Sequence, residues 1–375
     1  MSGALIGLVG AYGSVGRQVA QLLAPRLALR LGGRDRQQAE QLNQQLNQQL
    51  GACADVRALD LWDEQSLASF CAGCTLVINC AGPSYRILDR VARAALAAGA
   101  DYLDVGGDDP VHERLAGQVP AGRRVLLSAG MLPGLSGVFP RLLAQSFQRV
   151  DEMRCYAGGL GRLSATAAED FLLSLGNGFG QAQCGWREGR VVRSTGSARQ
   201  PLQRDWLPVA GVQAYPYLST EQQRLFSDLQ VPHGQGFNLF EGGQLAATLQ
   251  RIQGSAPEAR NTPQNIAALV QASALDVAGR RPYQLLAVEL DGLRDGRPQQ
   301  ASAWLRAGDG SRLTGSVAAF CALHWQLLPQ GLHYAAQVLD AQACLEQVCQ
   351  WLPDTRVSLG LSAGTPLAEL EEGVL

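Results

Sequence analysis

Gly10-Ala11-Tyr12-Gly13-Ser14-Val15-Gly16 follows an apolar run at residues 4–9. It precedes a segment whose apolar positions Val15, Val19, Leu22 and Leu23 share one helical face. The order is strand, glycine turn, helix. Glycines at this spacing let the backbone turn tightly and approach a ligand. The unsatisfied N–H groups of the following helix, at its positive dipole end, suit a pyrophosphate. In a chain with 43 glycines the letters alone are common by chance. The flanking strand and helix point to a dinucleotide site whose first contacts are Gly10, Tyr12, Gly13, Ser14, Val15 and Gly16.

Outward from this turn, strands are expected at residues 27–31, 56–61, 76–80, 102–105 and 124–128. Helices are expected over the Gln-rich stretch to 49 and at 63–70 and 86–98. That alternation predicts a parallel, doubly wound sheet. After Pro133 the pattern changes. A strand at 153–157, a helix at 165–175 and a hairpin at 185–192 turning on Arg187-Glu188-Gly189 come first, then strands at 283–290 and 299–305 around Arg294-Asp295-Gly296. Residues 254–263 read as a surface loop, 314–327 as a buried helix and 341–351 as an amphipathic one. The expected fold class is α/β: an N-terminal Rossmann-type doubly wound parallel sheet with a second α/β domain built on a mixed sheet. The divisions are 1–135 for the dinucleotide domain, 136–330 for a substrate and dimerisation domain, and 331–375 for a helical segment and a tail disordered after about 361.

The end of the second strand selects the dinucleotide. NAD sites usually place an acid there for the ribose 2′-hydroxyl, whereas this chain has Gly33-Arg34, with Arg36 nearby and Asp35 displaced by one position. A guanidinium fork suits a 2′-phosphate, so NADPH is the expected cofactor. Asp60 and Leu61, ending the third strand, are placed against the adenine. Cys80, Ala81, Gly82 and Pro83, ending the fourth, are small enough to pass close to the nicotinamide ribose.

The totals exclude other classes. With 375 residues, 46% hydrophobic and 17% charged, the chain is long enough for two cores. A net charge of −2 leaves no field for a polyanion, so nucleic acid is not an expected partner. No apolar run reaches membrane-spanning length, and the N-terminal stretch lacks the basic region of a signal peptide. All 31 basic residues are Arg, so any mechanism that uses a lysine is impossible. Nine scattered Cys fit reduced thiols and a cytoplasmic setting. One C-x-x-C, Cys71 to Cys74, runs into an apolar strand without a second ligand pair, and no metal site is expected.

The combination of Gly10 to Gly16, Gly33-Arg34, Val77-Ile78-Asn79-Cys80-Ala81-Gly82-Pro83-Ser84-Tyr85, the stretch from Ala98 to Asp108, and Ala129-Gly130-Met131-Leu132-Pro133-Gly134 resembles the saccharopine dehydrogenase-like reductases. The resemblance covers most of residues 1–140. It implies NADPH-dependent reduction of a C=N bond and a second domain that often mediates a homodimer. Within that group, overall length and layout are similar to thiazolinyl imine reductases of enantio-pyochelin-type siderophore assembly. This implies a small-molecule imine substrate tethered to a carrier domain of a non-ribosomal peptide synthetase. A saccharopine- or opine-type dehydrogenase of free amino-acid-derived imines, or a non-catalytic NADP-binding sensor, remains open at this level.

Hydride addition to a C=N carbon requires a proton for the nitrogen. The donor candidates are Tyr85, after the fourth strand, and His233, read as lying in a loop that closes over the cofactor. Asp108, which with Asp104 flanks a Gly-Gly turn, completes the catalytic set. His112 and His324 are weaker candidates. Phe179, Trp186, Trp206, Tyr215, Tyr217 and Phe237 are aromatics for a substrate slot or for the core, and Arg154, Arg162 and Arg187 are possible carboxylate partners.

Overall fold

The computed structural model describes residues 4–175, 179–194 and 200–361. The tail expected to be disordered, 362–375, lies outside the described residues.

From the N-terminus run β1 (Leu5–Val9), α1 (Ser14–Leu23), β2 (Ala28–Gly33), α2 (Arg36–Leu50), β3 (Asp55–Ala58), α3 (Glu64–Cys71) and β4 (Leu76–Asn79). α4 (Ser84–Ile87), α5 (Arg90–Ala97), β5 (Asp101–Asp104), α6 (Asp109–Leu115), β6 (Arg124–Leu127) and α7 (Leu135–Ala144) follow. Next come β7 (Arg149–Leu160), α8 (Ala165–Ser174), β8 (Gly180–Ala182), β9 (Cys184–Arg187), β10 (Arg190–Arg193), β11 (Gln200–Pro201) and β12 (Gln213–Ser219). α9 (Thr220–Asp228), β13 (His233–Phe240), α10 (Gln244–Gln253), α11 (Pro263–Val277), β14 (Tyr283–Arg294) and β15 (Arg297–Ala307) continue the chain. It closes with α12 (Gly310–Leu323), β16 (Gly331–Tyr334), α13 (Ala335–Val338), α14 (Ala341–Trp351) and β17 (Arg356–Leu361).

Two compact units result. The first takes residues up to 138 together with 310–351, and the second takes 139–309 and β17. The chain therefore returns to its first unit. Residues 310–330, expected in the second domain, and β16, α13 and α14, expected in a separate C-terminal segment, all pack there.

The first unit holds a seven-stranded sheet in the order β16-β6-β5-β4-β1-β2-β3, parallel at every pairing. The chain moves outward from β1 to β3, then crosses back to β4 on the other side of β1. The order reverses there, which opens a crevice at the carboxyl ends of β1 and β4. The apolar strands are buried on both faces, in a core that includes Val9, Phe70, Val77, Tyr102 and Leu127. The returning segment is anchored by Trp325, whose indole N–H donates to the buried Asp101 carboxylate at 2.7 Å. α12 approaches α1 closely because Gly315 and Ser316 are small. A Cβ on Gly315 would lie 2.7 Å from the Gln18 Cβ, and Gln18 donates to the Ser316 hydroxyl at 3.3 Å. The single helix expected at 86–98 is two helices, because Leu88 adopts a φ of 52° and ends α4.

The second unit is built on a ten-stranded mixed sheet with the path β10-β9-β13-β7-β14-β15-β17. β12 pairs with β13, and β8 and β11 pair with β12. β7 and β13 are parallel neighbours, and their other partners are antiparallel. Both expected hairpins form. Glu188 and Gly189 (φ 47° and 79°) and Asp295 and Gly296 (φ 50° and 71°) supply the paired positive φ angles of two-residue turns. α8, α10 and α11 cluster through Leu172, Leu249, Ile252 and Leu269.

Candidate functional site

The turn between β1 and α1 is built by close backbone approach. Gly10 has a φ of +73°, and a Cβ there would lie 2.8 Å from the Ala81 nitrogen. A Cβ on Gly16 would lie 2.3 Å from the Gly10 carbonyl oxygen. Gly10 N and Ala11 N both donate to Gly32 O, at 3.0 and 3.1 Å, which fixes the turn against β2. Gly13 caps α1 without a side chain to accept from the first turn. The amides of Ser14 to Gly16 therefore have no helical acceptor, and Gly13 and Ser14 are exposed. This is a cradle that side chains would fill, and its donors and dipole fit a dinucleotide pyrophosphate.

At the end of β2 the Tyr12 ring lies where a Gly33 side chain would be, with Cε1 2.2 Å from that Cβ position. Asp35 N donates to the Tyr12 hydroxyl at 3.2 Å. The Asp35 carboxylate caps α2, accepting from Gln38 N at 3.2 Å and from the Gln38 amide at 2.9 Å. Those bonds hold its pKa below the ordinary value. The one acid near the 2′ position is thus occupied. Arg36 pairs with Glu40 at 2.7 Å. Arg34 is exposed and has no acidic partner among the described residues, which leaves its guanidinium available to a 2′-phosphate.

At the end of β3, Asp60 accepts from Trp62 N at 2.9 Å and acts as a turn residue. Leu61 is half-buried. Trp62 is 56% exposed, with the Arg90 guanidinium 4.6 Å over its ring. The sequence signal for this aromatic platform is a Trp just past a strand end, which does not by itself show exposure. At the end of β4, Asn79 is buried and holds the loop: its amide donates to Asp104 at 3.1 Å and its oxygen accepts from Ala81 N at 3.1 Å. Cys80 N donates to Val9 O at 2.9 Å, tying the β4 loop to β1. Burial, with the nearby Asp104 charge, pushes the Cys80 thiol up, so it is a neutral lining group. Gly82 is exposed and Pro83 caps α4.

Asp104 is 2% exposed and fully engaged. It accepts from Asn79, from the Tyr102 hydroxyl, and from Gly106 N and Gly107 N at 2.9 and 2.8 Å. It shapes the turn after β5. Burial and that carboxylate drive the Tyr102 phenol well up, leaving it a neutral donor. Tyr85, half-buried on α4, and Asp108, buried at the head of α6, stand on the loops after the adjacent strands β4 and β5. These loops meet: a Cβ on Gly106 would touch Ser84 at 3.4 Å. The His112 ring stacks on Tyr334 at 4.9 Å, and the Tyr334 hydroxyl donates to Asp109.

The expectation for His233 is corrected. It is the first residue of β13, paired with Glu152 and Arg187, exposed and part of a sheet instead of a closing loop. The glycines that suggested a loop serve packing: a Cβ on Gly234 would lie 2.4 Å from the Phe226 ring, and one on Gly236 would lie 2.4 Å from Tyr217 O. His324 binds Phe320 O through Nδ1 at 2.9 Å. Of the aromatics, Phe179 and Phe237 are buried and Phe237 stacks on Tyr156 at 5.0 Å. Trp206 packs on that same core. Trp186 donates to Val231 O at 3.0 Å, and Tyr215 meets Phe240 edge-on at 5.4 Å. Tyr217 is half-buried. Arg154 is committed to Glu152, Glu289 and Asp291, whereas Arg162 and Arg187 are exposed. Cys71 and Cys74 are buried in the first unit's core, and burial pushes the Cys71 thiol up to about 12. No helix among the described residues is long and apolar enough to cross a membrane.

Residues 6–118 match the family model described as the saccharopine dehydrogenase NADP binding domain. The search of curated proteins finds no match. Among solved structures, the chain is similar to apo histidine-tagged saccharopine dehydrogenase (L-Glu forming) from Saccharomyces cerevisiae. That match has 13% identity and a TM-score of 0.65 and covers 95% of this chain and 100% of that one. It is also similar to GenD2 from gentamicin A biosynthesis in complex with NAD, with 12% identity and a TM-score of 0.43, over 96% of this chain and 97% of that one. Residues 6–118 thus form a saccharopine dehydrogenase-type NADP-binding domain, and the chain as a whole has the fold of saccharopine dehydrogenase.

Proposed function

We propose that the chain is an imine reductase that converts a thiazoline to a thiazolidine on a siderophore intermediate tethered to a carrier domain of a non-ribosomal peptide synthetase. The observation that carries the reading is the pairing of an NADPH-fitted crevice with Tyr85, on the short α4 that follows β4, in a chain without lysine. NADPH, when bound, supplies hydride to the carbon of the C=N bond. Tyr85 gives its phenolic proton to the nitrogen, so the ring gains one hydride and one proton, and the phenolate is reprotonated from solvent. Asp108, buried on the neighbouring loop, orients the reacting groups. His233, held on β13, is the second donor to test.

The full-length likeness to a saccharopine dehydrogenase favours a second reading, saccharopine- or opine-type reduction of an imine derived from a free amino acid. Loss of NADPH absorbance decides between them, using a soluble thioester mimic of an aryl-bis-thiazoline beside a saccharopine-type mixture of amino acid and carbonyl compound. Turnover of the thiazoline is expected. Turnover of the mixture alone selects the second reading, and turnover of neither overturns both.

A further inference from the structure

We propose that the second unit contains a binding pocket for a small organic oxyanion, a carboxylate or a phosphate. A cavity of 330 Å³ lies wholly within this unit, walled by Leu160 and Tyr283 and by the 208–210 segment. Three guanidiniums, from Arg280, Arg281 and Arg306, line it against one carboxylate, Glu241. That carboxylate is already committed. One oxygen pairs with Arg280, and the other accepts from the Tyr283 hydroxyl.

The two remaining cations are uncompensated. Arg281 and Arg306 have no acidic partner among the described residues. The Arg306 guanidinium lies 4.7 Å over the Tyr283 ring, and its Nε is buried without a hydrogen-bond acceptor. Arg306 as a whole is half-buried, and its terminal N–H groups hold no hydrogen-bond acceptor among the described residues, so they are placed to donate to a ligand in the cavity. The three arginines come from two stretches, the turn before β14 and the end of β15. Guanidinium forks match carboxylate and phosphate oxygens in pairs. The cavity suits a small ligand, at the lower end of the roughly 300–1,000 Å³ usual for such sites, and its apolar wall of Leu160, Pro208 and Val209 accepts a short hydrocarbon body.

The inference is independent of the proposed reaction. Its test uses the full-length protein saturated with NADPH, so that the phosphate-binding turn after β1 is already filled. Calorimetric titrations are run with inorganic phosphate, glycerol phosphate and glutarate, with sodium chloride at matched ionic strength as reference. Saturable binding of a phosphate or of glutarate is expected, and which one saturates identifies the oxyanion. Arg281→Gln, at an exposed position with no partner to lose, is expected to weaken that binding about tenfold or more, and Arg306→Gln at least as much. Failure of all three to saturate at millimolar concentrations overturns the proposal. So does binding that is unchanged in Arg281→Gln.

Discussion

Replacing Gly16 with Ala tests the phosphate turn at its tightest point. The added Cβ would lie 2.3 Å from Gly10 O and 2.8 Å from both Ala11 Cα and Ala11 O. A comfortable carbon–oxygen contact is about 3.3 Å, so α1 must back away from the turn by about 1 Å. Both neighbours are backbone, and Gly10 is held by its bond to Gly32 O, so no side chain can swing aside to absorb the shift. An N–H to phosphate bond works over roughly 2.7–3.2 Å, and about 1 Å of displacement removes it. One hydrogen bond to a charged group contributes about 1.5–3 kcal/mol, so the Kd for NADPH should rise about 10- to 100-fold. Fluorescence titration of NADPH measures this, with far-UV circular dichroism and a melting curve showing that the variant is folded. A folded Gly16→Ala that binds NADPH as tightly as the parent would refute the placement of the pyrophosphate on α1.

Arg34→Gln should weaken NADPH by about 10- to 100-fold while leaving NADH unchanged; equal losses for both would remove Arg34 from the 2′-phosphate. Tyr85→Phe should lower kcat by about 10²- to 10⁴-fold with the NADPH Kd intact, and full activity would sink its role as donor. Arg30 is buried, binding Asp55 at 2.8 Å and Phe70 O and Ala72 O at 2.7 Å each, so Arg30→Ala should cost about 3 kcal/mol in urea unfolding. Burial disfavours the charged Asp55 carboxylate, but its bonds and charge pairing with Arg30 and Arg57 outweigh that and lower its pKa below the usual 3.8. Its contribution to stability is therefore complete above that value and is lost as pH falls through the lower folded value. In Asp55→Asn the acid-unfolding curve should lose that component, and an unchanged curve would contradict the assignment.

The cofactor crevice was legible because its signals are local. A buried strand, glycines and an amphipathic helix stand next to one another in the chain, and Arg34 follows β2 directly. What sequence reading missed is non-local. An apolar helix at 310–323 looks the same whichever unit it packs in, and only the fit of Gly315 and Ser316 against Gln18 shows that α12 backs the phosphate helix. Pro232, Gly234 and Gly236 are local loop signals, so the sequence alone suggests a loop at His233. Those glycines exist to let α9, fixed by its Ser219 and Gln222 capping box, and the β12 backbone lie against β13. Asp35 stands one position past the usual ribose ligand in the sequence, and its bonds to Gln38 make it a helix cap.

The most direct test of hydride delivery to a C=N carbon is reduction of the thiazoline mimic with NADPH carrying deuterium at both nicotinamide C4 positions, followed by mass spectrometry of the product. One deuterium retained on the former imine carbon, on one face of the ring, is the expected result. Product without that deuterium, or no product while NADPH remains bound, would contradict the account.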